Sequence, residues 1–161
     1  MIDIEIEDPA WSAALPDAEA LVRAAAEMAL TSVVLHPVSG GEACLTVLLA
    51  DDALVRDLNA RFRNKDTATN VLSFPALPNP ENLIGDVALA FGICVREAAE
   101  QRKPLAHHLQ HLTVHGVLHL LGHDHIGDDE AETMEGLERA VLAKLGVPDP
   151  YLVGEGEHER P

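Results

Sequence analysis

Apolar residues change their period along this chain, and the changes mark out alternating strands and helices. Ile2, Ile4 and Ile6 alternate with Asp3 and Glu5, the two-residue period of a half-buried strand. From about Pro16, a good first-turn residue, the spacing becomes helical through Leu21, Ala25 and Met28 to near Leu35. Ala43 to Ala50 is a continuous apolar run of strand length, which predicts burial on both faces. Asp51 then caps a helix carrying Leu54, Leu58 and Phe62 along one side. Thr69 to Phe74 reads as a strand, and a proline-rich connection from Pro75 to Pro80 leads to another over Leu83 to Phe91. With no long helix between them these two can pair antiparallel, whereas strands joined through helices are expected to be parallel.

From Ile93 onward the pattern is helical. Leu105 to Leu121 is apolar nearly all round at its C-terminal end, which predicts a buried central helix. Asp128 opens a last helix with Met134, Leu137, Val141 and Leu145 inward, closed by Gly146 and Pro148. The expected fold is α/β, with an α+β-like cast: a four-stranded mixed sheet packed against about five helices, one of them central. At 161 residues and 47% apolar, the chain can bury a core of its own. Residues 1–148 are expected to form one domain and 149–161 a mobile tail. Cys44 and Cys94 sit alone in apolar stretches and are expected as buried free thiols.

The central helix carries the candidate chemistry. His115 and His119 lie four residues apart, on one helical face, so both imidazoles can reach one ion. His111 precedes His115 by another four, but His111 and His119 would be separated by roughly 12 Å of helix rise, too far for ligands that sit about 2 Å from a zinc ion. Gly122 then ends the helix and turns the chain, so that His123 or His125 can swing back toward the pair; His125 is taken as the third ligand. The spacing matches the zinc proteases with H-E-x-x-H-x-x-G-x-x-H, except that Gly116 stands where those enzymes carry their general base. Gly116 inside a helix costs roughly 1 kcal/mol relative to alanine, so a packed neighbour or the approach to the metal must need the space.

Charge changes the picture. There are 27 acidic and 11 basic side chains, a net charge of −16, and such a chain repels phosphate as a whole. Yet Arg56, Arg61, Arg63 and Lys65 are four of the eleven cations within ten residues, at the end of one predicted helix and in the loop that follows. An acidic body with a local basic cleft can still contact about three or four phosphates of a polyanion, weakly and with strong dependence on salt. The alternating charge after Met1 speaks against a signal peptide, and no apolar run reaches bilayer length, so the expectation is a cytoplasmic protein with no membrane partner.

His115-Gly116-Val117-Leu118-His119-Leu120-Leu121-Gly122-His123-Asp124-His125, Phe62-Arg63-Asn64-Lys65-Asp66, Thr69-Asn70-Val71-Leu72-Ser73-Phe74-Pro75 and Gly85-Asp86-Val87 stand in the order found in one known family. By these blocks the chain resembles the YbeY proteins, bacterial single-strand-specific metallo-endoribonucleases of ribosomal RNA processing. Asn64 replaces a common glycine and His123 a common tyrosine.

The resemblance implies one Zn2+ per chain on His115, His119 and His125, with Arg63 and His115 central to catalysis. It also implies single-stranded RNA as substrate, ribosomal particles and ribosomal proteins as partners, and no DNA. Maturation of the 3′ end of small-subunit ribosomal RNA and ribosome quality control would be the setting. Arg63, Lys65 and Arg61 are candidate phosphate contacts, and Asp124 a candidate hydrogen-bond acceptor that orients an imidazole. Two other classes fit the same residues: a noncatalytic zinc-stabilised ribosome-binding module, and a metal-dependent hydrolase of a non-RNA substrate.

Overall fold

The computed structural model describes residues 1–33, 43–123 and 127–151. Strand β1 (Ile2–Ile6) is followed by a short helix α1 (Ala10–Ala14) and by α2 (Ala18–Val33). Strand β2 (Cys44–Ala50) leads into α3 (Asp52–Arg63), and β3 (Val71–Pro75) precedes β4 (Leu83–Ala90). Three helices complete the described chain: α4 (Phe91–Glu100), α5 (Leu105–Leu120) and α6 (Asp128–Lys144). The expected end of α2 at Leu35 lies outside the described residues.

The four strands form one mixed sheet in the order β1-β2-β4-β3. β1 pairs with β2 and β2 with β4 in parallel, while β3 pairs antiparallel with β4 and forms the outer edge. The α/β expectation of a mixed four-stranded sheet is met, with six helices among the described residues where about five were expected. The extra one is α1, five residues too short to show a period, which seats the fully buried Trp11 with its indole Nε1–H donating to the Ala50 carbonyl at 2.9 Å.

One face of the sheet presents Leu45, Val47, Leu49, Val87 and Leu89 to a core closed by α2, α5 and α6. Helix α5 runs through its middle with ten of its sixteen residues buried, as its near-continuous apolar pattern predicts. The other face is covered at one end by α3, through Val55 and half-buried Leu54 and Leu58. The expected stripe of Leu54, Leu58 and Phe62 is therefore rotated: Val55 and Asn59 are buried, and Phe62 is 65% exposed. The buried Asn59 replaces an apolar contact with a brace, its Nδ2 donating to the Thr67 carbonyl and its own carbonyl accepting from Lys65 N–H, which holds the loop into β3. Cys94 is a buried free thiol as expected, whereas Cys44, expected to be buried, is half-buried at the sheet end. Among the described residues no helix is long and apolar enough to cross a membrane.

Candidate metal centre and phosphate cleft

A cleft of about 790 Å³ opens between α5, the edge strand β3 and the end of α3. Its walls include His115 and His119 on one side, Arg63 and Lys65 on another, and residues of β3 between them. The helix can come this close to the sheet because residue 116 has no side chain: a Cβ there would lie 2.7 Å from Val87 Cγ1 and 3.2 Å from Ser73 Oγ. Ser73 Oγ instead donates to the Gly116 carbonyl at 3.0 Å, joining β3 to α5 one residue from His115. A packed neighbour is thus what needs the space.

His115 and His119 face each other, with ring centroids 4.7 Å apart and their Nε2 atoms 3.1 Å apart. Two nitrogens bound at about 2.0–2.1 Å to a tetrahedral ion are about 3.3 Å apart, so this pair fits two ligands on one centre. His111, one turn earlier, does not join them: its Nε2 is 2.8 Å from Glu138 Oε1. The second oxygen of Glu138 lies 2.6 Å from His115 Nδ1, and Tyr151 donates its hydroxyl to the first. Burial opposes ionisation of Glu138, yet hydrogen bonds and charge from His111 and His115 outweigh it and bring its pKa down to about 2.

Helix α5 ends in a Schellman motif: Gly122 at φ +98° donates to the His119 carbonyl and His123 N–H to that of Leu118, each at 3.0 Å. The expected turn after the second histidine is present and puts His123 on the cleft wall. Asp124 and His125, the expected orienting acceptor and third ligand, lie outside the described residues. Among the described residues no group of three His, Cys, Asp or Glu side chains surrounds a common point.

Arg63 closes α3, and Asn64 follows in the left-handed conformation at φ 60°. That conformation explains the departure from glycine, since asparagine tolerates it better than most residues. The turn sends the Arg63 guanidinium to the Ser73 carbonyl and over the Phe74 ring, 5.4 Å from its centroid. Ser73 belongs to the set of β3 residues whose peptide groups point away from β4, because Asn70 and Ala76 take the bonds on the β4 side. Lys65 also lines the cleft. Arg61 does not; it pairs with Asp57 at 2.8 Å, and Arg56 pairs with Asp66 at 2.8 Å. The sequence cluster of four cations therefore presents two to the cleft.

Sequence reasoning did not single out Glu138, Tyr151 or Ser73. A signal for Glu138 was present: it interrupts an inward stripe of Met134, Val141 and Leu142 on α6, where an acid is rarely found without a partner. Tyr151 fell in the segment expected to be mobile, of which 149–151 is described and 152–161 lies outside the described residues.

A family model described as Endoribonuclease YbeY matches residues 4–146. An Endoribonuclease YbeY of Paramagnetospirillum magneticum is 50% identical over 158 residues, covering 93% of this chain and 94% of its own length. The Azorhizobium caulinodans protein of the same name is 51% identical over 160 residues, covering 96% and 99%. The solution structure of TM1509 from Thermotoga maritima superposes with a TM-score of 0.56 at 22% identity, covering 98% of this chain and all of the other, which supports the fold alone.

Proposed function

This chain belongs to the endoribonuclease YbeY family and is a hydrolase of RNA phosphodiester bonds; from that premise we propose that it is a zinc-dependent, single-strand-specific endoribonuclease whose site is the cleft of His115, His119, Arg63 and Lys65. The observation that carries this reading is the pair of Nε2 atoms 3.1 Å apart on the wall of a cleft that also holds two cations. His115, His119 and His125 hold one Zn2+ per chain. When bound, zinc supplies Lewis acidity, polarising a phosphoryl oxygen and acidifying water.

The other roles fall to the chain itself. Arg63, anchored through the Ser73 carbonyl and the Phe74 ring, keeps further N–H donors for the scissile phosphate as negative charge grows there. Lys65 contacts a neighbouring phosphate as a point charge. The edge of β3 gives the strand a floor on which to lie extended, which suits single-stranded RNA and not a rigid duplex. The substrate is ribosomal RNA, at the 3′ end of the small-subunit molecule, with ribosomal particles and ribosomal proteins positioning it during processing and quality control, in the cytoplasm. A peptidase reading loses ground to the packing at Gly116, where Val87 and Ser73 occupy the room a glutamate would require.

Elemental analysis at neutral pH tests the metal assignment. About one zinc per chain is expected, at least halved in His115→Ala, His119→Ala and His125→Ala and kept in His123→Ala. Loss in His123→Ala with retention in His125→Ala would overturn the choice of third ligand.

A further inference from the structure

Among the described residues Glu138 is the only acidic side chain that is fully buried. A carboxylate taken out of water is tolerated where donors replace its hydration, and here three converge on it. Oε1 receives His111 Nε2 at 2.8 Å and the Tyr151 hydroxyl, and Oε2 receives His115 Nδ1 at 2.6 Å. An ionised carboxylate only accepts, so each of these partners must be the donor. The consequence is an assignment of protons. His115 carries its hydrogen on Nδ1, which leaves the Nε2 lone pair directed at the position it shares with His119 Nε2, 3.1 Å away. His111 carries its hydrogen on Nε2, and among the described residues its buried Nδ1 has no hydrogen-bond partner.

Tyr151 is itself held in place. Its N–H donates to Asp149 Oδ1 at 2.9 Å, Arg139 pairs with Asp149 at 3.1 Å, and the same guanidinium lies 5.4 Å from the Tyr151 ring centroid. Val147, just after α6, is buried. The last described turn of chain thus closes over the Glu138 carboxylate and supplies one of its three donors.

We propose that Glu138, braced by Tyr151 and His111, is the positioning residue for His115: it fixes the Nδ1–H tautomer and presents Nε2 beside His119. The inference rests on the reading of His115 and His119 as metal ligands. A ligating imidazole oriented by a carboxylate on its other nitrogen typically gains tenfold to a hundredfold in metal affinity. The turn of chain that ends at Tyr151 then belongs to the site's support through Glu138.

The test combines imidazole nitrogen chemical shifts of the metal-free full-length protein with zinc affinity measured by competition against a chromophoric chelator. In the wild type, His115 is expected as the Nδ1–H tautomer. Glu138→Gln should lose that preference and bind zinc roughly tenfold to a hundredfold more weakly, while Tyr151→Phe, which leaves the carboxylate in place, should lose a few-fold. The tautomer in the wild type needs no variant, so misfolding of Glu138→Gln leaves the proposal decidable. An Nε2–H tautomer for His115 in the wild type, or wild-type zinc affinity in a folded Glu138→Gln, would overturn it. Failure of the wild type to bind zinc would instead overturn the metal reading, and the nitrogen shifts would still decide what Glu138 does to His115.

Discussion

A methyl group at position 116 has no room, because Val87 Cγ1 stands 2.7 Å from where it would be and the β-branched valine is fixed in the central region of the sheet. Alanine would add about 1 kcal/mol of helix propensity at an exposed site. Here overpacking, typically about 1–3 kcal/mol, outweighs it. Gly116→Ala is therefore expected to lower stability by up to about 2 kcal/mol in urea unfolding, and a raised midpoint would contradict the packing argument. At this scale the sequence was legible where a residue type has few uses. The glycine marked a close approach and the histidine spacing marked one face of one helix, whereas the left-handed turn at Asn64 was not read. Glu138 was not legible, because α6 is rich in acids and only the packing against α5 separates the buried one from those in water.

The elements were legible by period, and their deviations have local causes. α3 turns Val55 and Asn59 inward because it covers one end of the sheet and braces the loop to β3, so that amphipathicity misplaced its face by about a residue. The helical pattern read from Ile93 onward holds both α4 and, from Leu105 as expected, α5; Pro104 separates them and stands at the N-cap of the second. The packing of α4 on α5 also buries one ionisable group against a half-buried partner. His108 is 2% exposed with its Nε2 2.8 Å from Glu97 Oε1, and Glu97 in turn accepts from Asn70 at the cleft. Burial lowers the His108 pKa more than Glu97 raises it. A base whose folded pKa lies below its unfolded value, about 6.5, stabilises the fold fully above that pH, and the contribution is lost as the pH falls from there toward the folded pKa. The melting temperature should fall between about pH 7 and pH 5 and fall less steeply in His108→Gln. Identical pH slopes for the two proteins would rule His108 out as a source of the loss.

Taken whole, the molecule sets a body of net charge −16 behind a cleft with two cations. The order β1-β2-β4-β3 makes this possible, since inserting β4 between β2 and β3 leaves β3 at the edge, beside the two histidines and the end of α3. Connection lengths made the parallel β1–β2 and antiparallel β3–β4 pairings legible, but β2 and β3, joined through α3 and expected to be parallel, run in opposite directions with β4 between them. Charge was legible as a cluster and misleading as a count: Arg56 and Arg61 face carboxylates of their own, which reduces the three or four phosphates expected from sequence to about two. Each phosphate neutralised on single-stranded RNA contributes about 0.7 to the log-log salt slope. Binding by the isolated protein should therefore show a slope of only about 1–2, with duplex RNA cleaved poorly and ribosomal particles raising the rate or selectivity on single strands. A slope steeper than about 4, or equal cleavage of duplex and single strand, would contradict this charge layout.

The most direct test is the rate of cleavage of a single-stranded RNA oligonucleotide by zinc-loaded wild type, His115→Ala and Arg63→Ala, each confirmed as folded. His115→Ala should lose both zinc and cleavage. Arg63→Ala should keep its zinc and lose cleavage by a factor of about a hundred or more, the scale of one transition-state charge contact, with Arg63→Lys restoring part of it. Wild-type cleavage by either alanine variant would place the chemistry outside this cleft.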